Sequence, residues 1–166
     1  MTIFERFNGF FRYKLRCKKL NYKLFTVKLY DFKLIFLAFT YSAFIRFLMC
    51  FVKFNRYEKL LGTRNHKSPI VQPRPDELVH IDRIQKIIYS VNKYTPWEGK
   101  CMVKALSAKW LLASKGIKST LYFGISPDRN PNKPPKLFAH AWLKVGDEFV
   151  SGRKGHRRYK VVNFYS

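Results

Sequence analysis

Two side chains have the chemistry of a nucleophile and its base. Cys101 follows Trp97-Glu98-Gly99-Lys100 and opens the apolar run MVKALSAKWLLASKG. That run has helix-forming composition and ends at Gly116, so Cys101 stands at a helix start. Unpaired first-turn N–H groups and the helix dipole favour a thiolate there. Lys100 and Lys104 add cations, and Glu98 opposes them. A thiolate in such surroundings is a far better nucleophile than an ordinary thiol. His140 sits in LFAHAWLKV, flanked by Ala139 and Ala141. In a strand, Phe138, His140 and Trp142 share one face, and the alanines leave the other open to close packing. Cysteine then histidine, on a helix-then-sheet layout, suits acyl chemistry. The imidazole takes the thiol proton, the thiolate attacks an amide carbonyl, and the imidazolium protonates the leaving amine.

The remaining cysteines and histidines carry weaker signals. Cys17 lies in a basic arm and Cys50 inside an apolar helix. His66 is in a polar linker, His80 on a helix and His156 in the basic run SGRKGHRR. Three cysteines without CxxC spacing argue against a disulfide scaffold and against a zinc site. The expectation is a reducing, cytoplasmic setting, with no metal and no cofactor. The N-terminus mixes charge into its apolar positions, unlike a secretion signal.

The elements that must position this pair follow from periodicity. Residues 1–31 form a basic, aromatic arm. Residues 32–54 are the most apolar stretch, but Arg46 interrupts it and the clean apolar run from Leu34 to Ile45 has twelve residues. A spanning helix needs roughly 20. The expectation is a buried or interfacial helix, continuing to Leu61 and stopped by Gly62. SPIVQPRP reads as a linker. Leu78, Ile81, Ile84, Ile87, Ile88 and Val91 have helix spacing, with Asp76 as cap and Thr95-Pro96 as stop. The Cys101 helix runs from about Gly99 to Lys115. The strand STLYFGI, a long loop PDRNPNKPPK, the hairpin around Gly146-Asp147 and a last strand RRYKVVNFY complete an α+β fold.

From about residue 32 to the end, the chain resembles the lasso-peptide leader peptidases, which belong to the transglutaminase-like superfamily. The resemblance rests on the apolar helix ending in LLG, on PW with a cysteine four residues later, on CMVKALSAKWLLASKGIKSTLYFGI, and on AHAWLKVGDEFVSG with YKVVNF. It implies a papain/transglutaminase-like domain over residues 32–166, with N-terminal helices on a small antiparallel sheet. It implies a cysteine peptidase that removes the leader of a ribosomally made precursor peptide. An asparagine-synthetase-like cyclase would then close the freed core peptide. Leader recognition in the family falls to a small separate protein or a fused domain. Residues 1–31 are too short for such a domain, so a separate recognition protein is expected.

The family places an acid about twelve residues after the histidine to orient it. Here that zone is Val150-Ser151-Gly152, which has no carboxylate. With a two-residue turn at Gly146-Asp147, Val145 pairs with Glu148, Leu143 with Val150, and His140 faces about Arg153. Asp147 then lies about 20 Å along the ladder from His140. It remains a candidate because GD recurs after HAW in relatives. Asn163 on the last strand, Ser151 or a backbone carbonyl are the substitutes. Trp97 is a candidate oxyanion donor alongside the N–H of Cys101.

Composition keeps other functions open. The formal charge of +23 suits nucleic acid, an anionic membrane surface or acidic proteins. A non-enzymatic basic protein, an acyl-transferase on the same fold, and peripheral membrane contact therefore stand beside the peptidase. A hydrophobic share of 47% and an aromatic share of 17% exclude a disordered chain.

Overall fold

The computed structural model describes residues 29–66, 72–97, 100–127 and 137–166. The greater part of the arm, the linker residues 67–71, residues 98 and 99, and nearly all of the proline-rich loop lie outside them. Four helices precede a four-stranded sheet. Helix α1 spans Leu29–Phe51, α2 Phe54–Tyr57, α3 Pro75–Tyr94 and α4 Cys101–Ala113. Strands β1 (Thr120–Pro127), β2 (Leu137–Val145), β3 (Glu148–Ser151) and β4 (Lys160–Tyr165) pair antiparallel in the order β3-β2-β1-β4.

Helix α4 is the centre of the molecule. Val103, Ala105, Leu106, Ala108, Leu111 and Leu112 are all fully buried. A helix that is apolar nearly all round has to be surrounded, and α1, α3 and the β1–β3 face of the sheet pack against it. Its C-terminus closes as the sequence suggests. Gly116 takes φ +71, and the Ile117 N–H reaches back to the Leu112 carbonyl at 3.0 Å. Only a residue free to adopt the left-handed region makes that reversal cheaply.

Helix α1 starts at Leu29, inside the stretch read as arm. Asp31 is buried, and the Arg83 Nε of α3 meets its carboxylate at 2.8 Å. The predicted continuation to Leu61 is broken. Lys53 is extended, and α2 and a 3-10 turn over residues 58–61 follow. Helix α3 begins one residue before the expected cap. Pro75 occupies the first helical position, and the Glu77 carboxylate accepts from the Arg74 N–H at 2.9 Å.

In β2, Ala141, Leu143 and Val145 face the helices and join the core. Trp142 faces the other way and stacks on Tyr122 of β1, with ring centroids 5.7 Å apart. The β2–β3 turn falls at residues 146–147, and Val145 pairs with Glu148 as expected. Beyond that pair the expected register is wrong by one residue. A shift between Leu143 and Lys144 pairs Leu143 with Ser151 instead of Val150.

Lys109 is the charged residue of α4 that the core encloses, at 9% exposure. Its ammonium donates to the Tyr165 carbonyl at 3.2 Å, which ties β4 to the central helix. Burial pushes the amine down from 10.5 to about 8. Between those two values the unfolded chain holds the proton and the folded chain does not, so stability rises with pH across that window. Tyr165, pushed up to about 12 by burial and by its hydrogen bond to Glu58, acts in the opposite sense above pH 10. Wild-type protein should therefore gain a few degrees of Tm on Lys109→Met between about pH 8 and 10. Parallel thermal melts of the two proteins would read this, and identical slopes would remove the assignment to Lys109.

Candidate active site

Cys101 is the first residue of α4. Lys100 precedes it in extended conformation and offers no side-chain cap to the helix. The first-turn N–H groups therefore point out unpaired by any capping side chain, beside the sulfur. Cys101 is half-buried against the edge of the core. Lys104, one turn on and on the same helix face, lies over the Tyr89 ring of α3 at 5.4 Å.

His140 stands opposite Gly124 in the β1–β2 ladder. Its ring lies between Tyr159, with centroids 5.0 Å apart, and Trp142, at 5.9 Å. Gly124 makes this arrangement fit. A Cβ there would fall 2.8 Å from the Tyr159 Cβ and 2.9 Å from the Trp142 ring. A glycine in mid-strand signals such a close approach, and this one was readable in TLYFGIS.

The orienting group is a backbone atom. His140 Nε2 lies 2.8 Å from the Gly152 carbonyl oxygen, twelve residues downstream. A carbonyl only accepts, so Nε2 carries the hydrogen. In the neutral ring Nδ1 is then the free acceptor, the atom able to take a thiol proton. Gly152 has φ +72, and its Cβ position is closed off by the Ala141 oxygen at 2.5 Å and the Trp142 Cβ at 2.6 Å. The Gly152 N–H in turn donates to the Tyr89 hydroxyl at 3.4 Å. The start of α4 and His140 are thus joined through Lys104, Tyr89 and Gly152. Cys101 and His140 themselves share no hydrogen bond among the described residues. Such contacts often tighten only when substrate binds.

The other candidates lie elsewhere. Asp147, at the turn, accepts from Gln72 at 2.7 Å and from Lys144 at 3.4 Å. Asn163 pairs with Phe123 in the ladder, and its Oδ1 accepts from Arg64 at 3.4 Å. Neither is the partner of the His140 ring. The Ser151 hydroxyl is buried without a hydrogen-bond partner among the described residues. The Trp97 indole N–H is likewise buried and unpaired, with its ring against Phe39 of α1 at 5.3 Å. An unpaired buried donor costs about 1–3 kcal/mol, which singles Trp97 out as a group held for something not yet in place. Sequence reasoning missed Tyr89, Gly124 and Tyr159. Gly124 left a signal; the two tyrosines act through ring and hydroxyl placement that no spacing encodes. Among the described residues, no group of three or more metal-ligating side chains is found.

A helix-initial cysteine and a strand histidine on an antiparallel sheet agree with what a family comparison shows. The family model for the transglutaminase-like superfamily matches residues 45–163. The chain belongs to that superfamily. Transglutaminase-like domains are generally catalytic and use a cysteine, and they include both peptidases and acyl-transferases. The matched region of this transglutaminase-like chain takes in most of α1, all of α3 and α4, and the sheet almost to its end. No curated protein and no solved structure gave a match.

Proposed function

We propose that the protein is a cysteine peptidase that removes the leader from a ribosomally made lasso precursor peptide. Cys101 is the nucleophile and His140 the base. The observation that carries this is the His140 hydrogen bond to Gly152, which commits Nε2 to the carbonyl and leaves Nδ1 to accept. The thiol proton moves to Nδ1, and the sulfur attacks the scissile carbonyl. The oxyanion forms beside the Cys101 N–H and the unpaired Trp97 indole. The imidazolium gives its proton to the leaving amine, and water then releases the leader acid from the thioester. Leader recognition belongs to a separate protein. An asparagine-synthetase-like cyclase takes the freed core peptide, whose new N-terminal amine is the group it closes onto an acidic side chain.

Incubating the chain with precursor and recognition protein should release the leader with a mass gain of one water. Cys101→Ala should abolish release. Release by that variant at the wild-type rate would remove the assignment, and a product lacking the added water would reassign the chemistry to acyl transfer.

A further inference from the structure

The outward face of α1 has no role in the chemistry above. Phe32, Phe36, Phe47 and Phe51 are 64%, 61%, 54% and 76% exposed, and Phe39 and Phe44 are also open to solvent. At 100° per residue, Phe32, Phe36, Phe39 and Phe47 fall within an arc of about 80°. That arc lies opposite the buried Leu34, Ala38 and Ile45. A soluble monomer rarely leaves a contiguous apolar strip of this kind uncovered. The one hydroxyl along it is already satisfied, since Thr40 donates to the Phe36 carbonyl at 2.9 Å.

We infer that this face lies in the surface of an anionic lipid bilayer, with α1 parallel to the membrane plane. Helix α1 is the described helix long and apolar enough to cross a membrane. Its inner side, though, is part of the protein core and carries the buried Asp31–Arg83 pair. Insertion is therefore limited to the phenylalanine side, as for an interfacial amphipathic helix. Charge selects the partner. From residue 29 to 57 the basic residues are Lys33, Arg46, Lys53 and Arg56, and the single acid is the buried Asp31. The 28 residues before α1 hold eight Lys or Arg and one acid, Glu5. Basic groups beside an apolar strip are drawn to anionic headgroups, whereas a second copy of this chain would bring like charge against like. The Phe39 contact with Trp97 places the start of α4 beside the bilayer. The inference stands independently of the peptidase reading.

The test is sedimentation of the full chain with phosphatidylcholine vesicles containing about one-third phosphatidylglycerol, and with phosphatidylcholine alone. The chain should partition onto the anionic vesicles. Phe36→Ser/Phe47→Ser should weaken this by roughly tenfold or more while the melting temperature stays unchanged. Val161→Ser/Val162→Ser, exposed apolar positions on β4, should have no effect. Three results would overturn the inference. One is no partition. Another is partition that the phenylalanine variant retains but salt removes, which assigns it to charge alone. The last is a wild-type dimer by light scattering that the phenylalanine variant dissolves.

Discussion

His140→Gln should fold, bind precursor with its recognition protein, and cleave roughly 10²–10⁴-fold more slowly than wild type. Glutamine separates two tasks that the imidazole combines. Its amide can donate to the Gly152 carbonyl as His140 Nε2 does at 2.8 Å, so the end of β3 keeps its partner. It cannot take a proton from Cys101 or return one to the leaving amine. The loss should fall on kcat, because the amide makes no difference to how the leader is held. Some stability goes with the ring, which packs between Trp142 and Tyr159; circular dichroism and a thermal melt separate that from the catalytic loss. A His140→Gln protein with wild-type turnover would mean that the base lies elsewhere.

Gly152→Asp should inactivate and destabilise the protein, even though it puts a carboxylate at the position where the resemblance assigns one. At φ +72 an L-residue is already strained. The new Cβ would also fall 2.5 Å from the Ala141 carbonyl and 2.6 Å from the Trp142 Cβ. Neither is the far end of a flexible side chain, so the chain itself must move. Strain and overpacking together should cost about 3 kcal/mol or more. The movement also displaces the carbonyl that His140 uses. Gly152→Ala should lose comparable stability without supplying any acid. Measured side by side, the two variants should both melt early and both cleave poorly. An aspartate variant with wild-type stability and rate would show that a carboxylate fits there, and would remove the carbonyl from its role.

The legible parts of this molecule are those where one segment determines its own structure. Ile81, Ile84, Ile88 and Val91 recur at helix spacing and are all buried. Gly116 ends α4 because that turn needs a left-handed residue, and Gly146-Asp147 makes the hairpin turn. The parts that were hidden depend on distant partners. Asp31 reads as the last residue of a basic arm until Arg83, 52 positions away, is brought against it. The register of β2 and β3 slips because alternation marks which face a residue takes but not where a bulge absorbs a position. Cys101 and His140 were visible by residue type. What holds His140 was not, since a carbonyl oxygen is common to every residue and leaves no letter in the sequence.

That last feature has a consequence for mutagenesis. An aspartate that orients a histidine can be deleted by one codon change and mimicked by another. The Gly152 oxygen can be neither deleted nor replaced, since every residue at that position carries it. It is also unaffected by pH, having no proton to gain in the range where a carboxylate titrates. A substitution scan would therefore return two indispensable side chains and a glycine with a folding defect. From such a scan the protein would be taken for a dyad, while its third member, part of the main chain, would never register.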